Sequence, residues 1–147
     1  MAIDTPARIA VLGAGPVGLE AALYARYLGY DVDVSERGRV ADNVRAWGHV
    51  RMFSPFGEMR SPLGLAALRA QNPAFEPPAD DALLRGEQWV TRYLLPLSRT
   101  DLLADSVHEH TAVISIGRDG PLKHELTGDA RAESEFRLLL RATDPEQ

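Results

Sequence analysis

The stretch that decides the fold is Arg8-Ile9-Ala10-Val11-Leu12-Gly13-Ala14-Gly15-Pro16-Val17-Gly18. An apolar run of strand length ends in three spaced glycines, and an alanine-rich segment of helical character follows them. Gly13 permits a tight turn off the strand, in backbone conformations that a Cβ penalises. Gly15 keeps the main chain bare where a ligand approaches, and Gly18 lets the helix pack closely on the strand. Pro16 suits the first helical turn, where its missing N–H costs nothing. Ala22, four residues after Gly18, is again small on the packing face, and Gly29 reads as the helix C-cap.

A second strand follows as Tyr30-Asp31-Val32-Asp33-Val34-Ser35-Glu36, with Val32 and Val34 on one face. Its terminal acid, Glu36, stands eighteen residues after Gly18 and is placed to accept hydrogen bonds from ribose hydroxyls. Strand, glycines, small residue and acid together make the dinucleotide-binding fingerprint. The free N–H groups and positive dipole end of the helix then face a pyrophosphate. A carboxylate at position 36 repels a 2′-phosphate, although Arg37 and Arg39 soften that discrimination. The competing reading is an ordinary βαβ crossover whose glycines serve turns only; it needs all four features to coincide.

Residues 7–37 resemble the amino-terminal FAD-binding segment of the two-dinucleotide-binding flavoproteins, a broad group that includes flavin-dependent monooxygenases and pyridine nucleotide–disulfide reductases. The resemblance implies an α/β fold built on a Rossmann-like FAD/NAD(P)-binding βαβ unit. It also implies that Gly13, Gly15, Pro16, Val17 and Gly18 hold the pyrophosphate of FAD. Glu36, with Arg37 beside it, is implied to hold the ribose of the adenosine half. It is specific over the first quarter of the chain and softer beyond.

Length and composition bound the rest. A chain of 147 residues is one domain's worth of sequence. A net charge of −5 argues against binding to nucleic acid or to anionic membranes, which calls for a basic surface. No apolar stretch approaches the length of a membrane span, and residues 1–6 lack the pattern of a signal peptide, so a cytoplasmic location is expected. With no cysteine there is no disulfide framework, no thiolate metal site and no redox dithiol, which excludes disulfide-reductase chemistry within this segment.

Residues 38–106 read as a loop and helical insert. Prolines and glycines punctuate Gly38 to Gly64 as irregular chain. In related flavoproteins this region wraps the cofactor and often carries Gly-Gly before a tryptophan. Here Trp47 and Gly48 occur without the Gly-Gly, so the likeness stops at approximate position. Arg45 and Trp47 are candidates to line the cofactor by charge and by stacking. The alternative, with Trp47 packing a loop onto the core and Arg45 solvated, is slightly favoured. A short helix is expected over Leu63 to Ala70, and a longer one over Glu87 to Arg99, in which Pro96 either makes a kink or starts a new turn. In the latter, Trp89, Val90, Tyr93, Leu94 and Leu97 recur at helical spacing and read as core.

Residues 107–142 change period. Thr111 to Gly117, Pro121 to Leu126 and Glu135 to Ala142 read as strands of an antiparallel β-meander, with Asp119-Gly120 as a hairpin turn. By the same resemblance, main chain at Val113 is expected near the adenine; a plain core role for its side chain is equally compatible. His108 and His110 lack a convincing third ligand, so no metal site is expected. Thr127-Gly128-Asp129 reads as a turn, and no serine has a nucleophile-elbow context.

No returning parallel strand and no second glycine fingerprint follow the meander. The chain therefore reads as an incomplete domain, the amino-terminal portion of a larger flavoprotein or a truncated or split subunit, its sheet completed by a second chain or a continuation. The expected function is that of an FAD-dependent, monooxygenase-like oxidoreductase, for which this chain supplies the ADP half of the FAD site. A small-molecule substrate, and NAD or NADP as co-substrate, belong to the missing part. Flavin supplies the chemistry in that reading, and no catalytic side chain can be named. The alternatives are an NAD-binding dehydrogenase or reductase domain, which the insert and meander disfavour, and a non-enzymatic dinucleotide-binding module.

Overall fold

The computed structural model describes residues 7–118, 120 and 134–143. It is a mixed α/β structure with a parallel three-stranded sheet and an antiparallel two-stranded one. β1 (Arg8–Leu12) leads through the glycine turn into α1 (Pro16–Tyr27) and back to β2 (Asp31–Ser35). β1 and β2 pair in parallel with Ala10 opposite Asp33. Ile9 and Val11 on β1, and Val32 and Val34 on β2, pack with Leu19, Ala22 and Leu23 of α1 in one core. Gly29 closes α1 at a φ of +94°, the left-handed C-terminal position that favours glycine.

Between the sheets' strands run α2 (Asp42–Ala46), α3 (Phe56–Met59), α4 (Pro62–Gln71), α5 (Gly86–Trp89) and α6 (Leu95–Ser98). α2 and α3 interrupt a region whose sequence reads as loop. Each is about one turn long and buries one apolar side chain, Val44 or Phe56, so neither carries a periodic signal. α4 begins at Pro62 with the Ser61 side chain accepting a hydrogen bond from the Gly64 N–H, 2.7 Å. α5 and α6 are joined by a π-helical turn, Val90–Leu94, in which the Leu95 N–H reaches the Val90 carbonyl. This is the deformation at Pro96: the ring has no N–H to give and clashes with the carbonyl four residues back, so the turn before it widens. Trp89, Val90, Tyr93, Leu94 and Leu97 are all buried. Phe56 and Tyr93 meet edge to face at 5.5 Å between ring centroids, worth ~1 kcal/mol beyond their burial.

β3 is only Val107–His108, yet it pairs in parallel with β2, so β2 is central and the order is β1-β2-β3. β4 (Thr111–Arg118) and β5 (Phe136–Ala142) form the antiparallel pair, with an irregularity between Val113 and Ser115. The expected middle strand of the meander, Pro121 to Leu126, and Thr127-Gly128-Asp129 lie outside the described residues, as does Asp119 of the hairpin turn. Among the described residues the outer edge of β1 has no strand beside it. No helix among them is long and apolar enough to cross a membrane.

Asp33 ties the three strands together on the face away from α1. It accepts a hydrogen bond from Arg8 Nε on β1 and lies 3.2 Å from His108 Nε2 on β3. The Arg8 bond foremost, aided by His108, holds the Asp33 carboxyl below its ordinary value. A lowered native value means that this contribution is present above the ordinary aspartate range. It is lost as pH falls through the native value. Urea midpoints measured against pH are therefore expected to fall more steeply below about pH 4 in the native protein than in Asp33→Asn. Identical acid limbs would show that the Asp33 cluster contributes nothing.

Candidate functional site

The glycine turn sits at the carboxyl ends of β1 and β2. Gly13 adopts a φ of +101°, open only to glycine at low cost, and its N–H donates to the Ser35 carbonyl at 2.8 Å. Gly15 is the N-cap of α1, in extended conformation, and Pro16 is the first helical residue. No side chain caps this helix, so the N–H groups of its first turn are left to solvent or a ligand. A Cβ built on Gly13 or Gly15 meets nothing within 4 Å, so open space faces the turn. A Cβ on Gly18 lands 1.9 Å from the Gly13 carbonyl oxygen, so Gly18 is what allows helix and turn to touch.

Glu36 closes the site from the other strand. Its half-buried carboxylate accepts the Ala14 N–H at 2.8 Å with one oxygen and the Gly38 N–H at 2.9 Å with the other. The acid thus spans the mouth of the glycine turn and fixes the bend after β2. Further bonds stitch the same corner. Ala41 N–H donates to the Ala14 carbonyl at 2.9 Å, Thr111 N–H to the Glu36 carbonyl at 2.8 Å, and His110 N–H to the Gly38 carbonyl at 2.9 Å. Glu109 accepts the Val40 N–H at 2.6 Å.

Of the other expected residues, Arg37, Arg45 and Val113 fall around this corner, and Trp47 and Val17 face elsewhere. Arg37 and Val113, with Gly38, Arg39 and Arg141, line a groove of about 1020 Å³ beside the bend. Arg45 is half-buried and donates from Nε to the Val40 carbonyl at 3.0 Å, bracing the segment that carries Ala41. Trp47 is partly buried against the core and packs on Gly86, where a Cβ would lie 2.7 Å from its ring. Val17 is 82% exposed at the start of α1, facing a different groove described below. His108 binds Asp33, and no cluster of metal-ligating side chains occurs among the described residues.

Two features of the corner have no motif in the sequence. Ala41 is buried and left-handed, at a φ of 58°, a conformation that no glycine announces. Glu109 serves a backbone N–H 69 positions away, visible only once β3 is paired. Comparison with protein-family models and with curated proteins gives no match.

Proposed function

We propose that this chain is the FAD-binding portion of a flavin-dependent, monooxygenase-like oxidoreductase, with a Rossmann-like βαβ unit holding the ADP half of the cofactor. The observation that carries the reading is the Glu36 carboxylate, held at the mouth of an uncapped helix start by the Ala14 and Gly38 N–H groups. A bare glycine turn, unspent N–H groups and an acid one strand away are the donor and acceptor set that an adenosine diphosphate requires. The open space beyond Gly13 and Gly15 fits a pyrophosphate against the main chain.

In this reading Gly13, Gly15 and Gly18 shape the pyrophosphate cradle, with Pro16 and Val17 opening the helix behind it. Glu36 exchanges backbone N–H groups for ribose hydroxyls, while Arg37 and the main chain at Val113 border the adenosine side. Arg45 acts through Val40 and Ala41 rather than by contact, and Trp47 anchors the insert. The flavin ring, when bound, supplies hydride acceptance and oxygen activation; the chain's part is orientation and electrostatics. FAD is favoured over NAD by the helical insert and the antiparallel strand pair after β2, since simple dehydrogenases continue in regular βα units. Catalysis in the cytoplasm on a small molecule, with NAD or NADP as co-substrate, belongs to the same proposal. So does a second chain or a continuation pairing with the outer edge of β1; a single-chain mass by light scattering at high concentration would remove the second-copy version.

The test is ligand-dependent stability. FAD at a hundredfold excess over its dissociation constant is expected to raise the unfolding free energy by ~2.7 kcal/mol, with visible flavin absorbance retained on desalting. Stabilisation by NAD and not by FAD would transfer the site to the dehydrogenase reading. Stabilisation by neither overturns a dinucleotide role.

A further inference from the structure

We infer that the groove along the outer side of α1 is a second binding site, for a mostly apolar organic molecule carrying one hydrogen-bond donor such as a phenol or alcohol. The groove has a volume of about 710 Å³ and runs from Pro16 and Val17 to Tyr24, walled by Met52, Phe53 and Met59. Its apolar surface is conspicuous: Phe53 is 97% exposed and Val17 82%. Single exposed apolar residues need no explanation, but several lining one groove, even with Glu58 and Arg60 among them, do.

Polar groups in the groove wall say what the molecule must offer. Glu20 receives the Tyr93 hydroxyl on Oε1 at 2.6 Å, and Tyr93 in turn accepts the Ser61 N–H at 3.1 Å. Burial foremost, and then the Glu20 bond, push the Tyr93 hydroxyl above its ordinary range, so it stays protonated and donates. That leaves Glu20 Oε2, which is shielded from solvent and has no partner. Trp89 also lines the groove, more than nine-tenths buried, with its Nε1 unpartnered. An unmade bond at a buried carboxylate oxygen is costly. The terminal torsion of a glutamate is soft, so the carboxylate can turn Oε2 to a donor in the groove while Tyr93 keeps an oxygen. A hydroxyl ligand that donates to Glu20 and lays an apolar ring on Tyr24, Phe53 and Met59 satisfies the carboxylate and the apolar wall. Its oxygen keeps a lone pair for a donor such as the Trp89 indole N–H.

This site adjoins the dinucleotide corner, sharing Pro16 and Val17 with it, but does not rest on that reading. Glu20 and Tyr24 lie one and two turns down α1 from Pro16, ~6 Å and ~12 Å along its axis at the helical rise. A pyrophosphate at the helix start reaches only the Pro16 end.

The test uses the whole chain and a matched pair of probes, 4-ethylphenol and its methyl ether 4-ethylanisole, followed by NMR shifts of the Trp89 indole N–H and the Ala21 and Tyr24 amides. The phenol is expected to bind about tenfold more tightly than the ether, and to do so equally in saturating FAD. In Glu20→Gln, an isosteric change, the preference should vanish or invert, because the amide nitrogen offers a donor in place of Oε2. Phe53→Ser, at a side chain outside the core, should weaken both probes alike without altering the melting temperature. Equal affinity for phenol and ether, or a preference that survives Glu20→Gln, overturns the assignment. Displacement of the phenol by FAD overturns it too, by giving the groove to the cofactor. If FAD fails to bind while the phenol preference holds, the flavin proposal falls and the groove stands.

Discussion

Gly18→Ala is expected to cost the fold roughly 3 kcal/mol or more, and with it any affinity for a dinucleotide. The added methyl would lie 1.9 Å from the carbonyl oxygen of Gly13. That obstacle is main chain and cannot rotate aside. Gly13 itself has little room to yield, because its N–H is bonded to Ser35 and its φ of +101° is already committed. Relief must come from lifting α1 off the strand, which opens the contact of Leu19, Ala22 and Leu23 with the sheet. For a domain whose whole stability is ~5–15 kcal/mol, such a loss moves the urea midpoint far down or leaves no folded state. Gly15→Ala is the control. Its Cβ meets nothing within 4 Å and its φ is −79°, so the fold should survive while the pyrophosphate approach narrows. Equal midpoints for Gly18→Ala and the native chain would falsify the close helix–turn contact.

That contrast between two glycines explains how far the sequence could be read. β1, the turn, α1 and β2 are local: each glycine acts on neighbours within a few positions, and Val32 and Val34 alternate as a half-buried strand must. The helical stretch that passes through Pro96 was legible for the same reason, with a disturbance tied to that proline, though not its π-helical form over Val90–Leu94. What stayed hidden is long-range. β3 is two residues, and His108 looks like a solvated side chain until Asp33 is beside it. Tyr93 reads as core, and it is fully buried, but its partner Glu20 lies 73 positions away. The only hint was a carboxylate at position 20, three residues before the buried Leu23 of the same helix. Ala41 shows the opposite limit: its left-handed backbone is imposed by bonds from outside the segment, so no local residue preference could report it.

Glu36→Ala is expected to weaken FAD binding by at least tenfold and to lower stability by ~1.5–3 kcal/mol in the absence of cofactor. Both effects come from one carboxylate with two tasks. Without ligand, its oxygens hold the Ala14 and Gly38 N–H groups, and truncation leaves two part-buried donors without an acceptor. The bend at Gly38 and the glycine turn then lose their direct tie. The Gly13 to Ser35 and Ala41 to Ala14 bonds, with those of His110 to Gly38 and Thr111 to Glu36, are left to keep them in register. Glu36→Gln separates charge from shape. Its amide oxygen can accept one of the two N–H groups, but its NH₂ confronts the other with donor against donor. Glutamine should therefore recover at most about half of the lost stability, and affinity for FAD should stay low. Urea midpoints of the three proteins, each measured with and without FAD, resolve the two tasks. A drop in midpoint with unchanged FAD affinity would leave Glu36 as a structural clasp and move the ribose contact elsewhere. Unchanged midpoints with lost affinity would instead mean that the clasp holds nothing, and that the backbone bonds of Gly13 to Ser35 and Ala41 to Ala14 order the turn. Loss of both is what a carboxylate shared between fold and ligand requires.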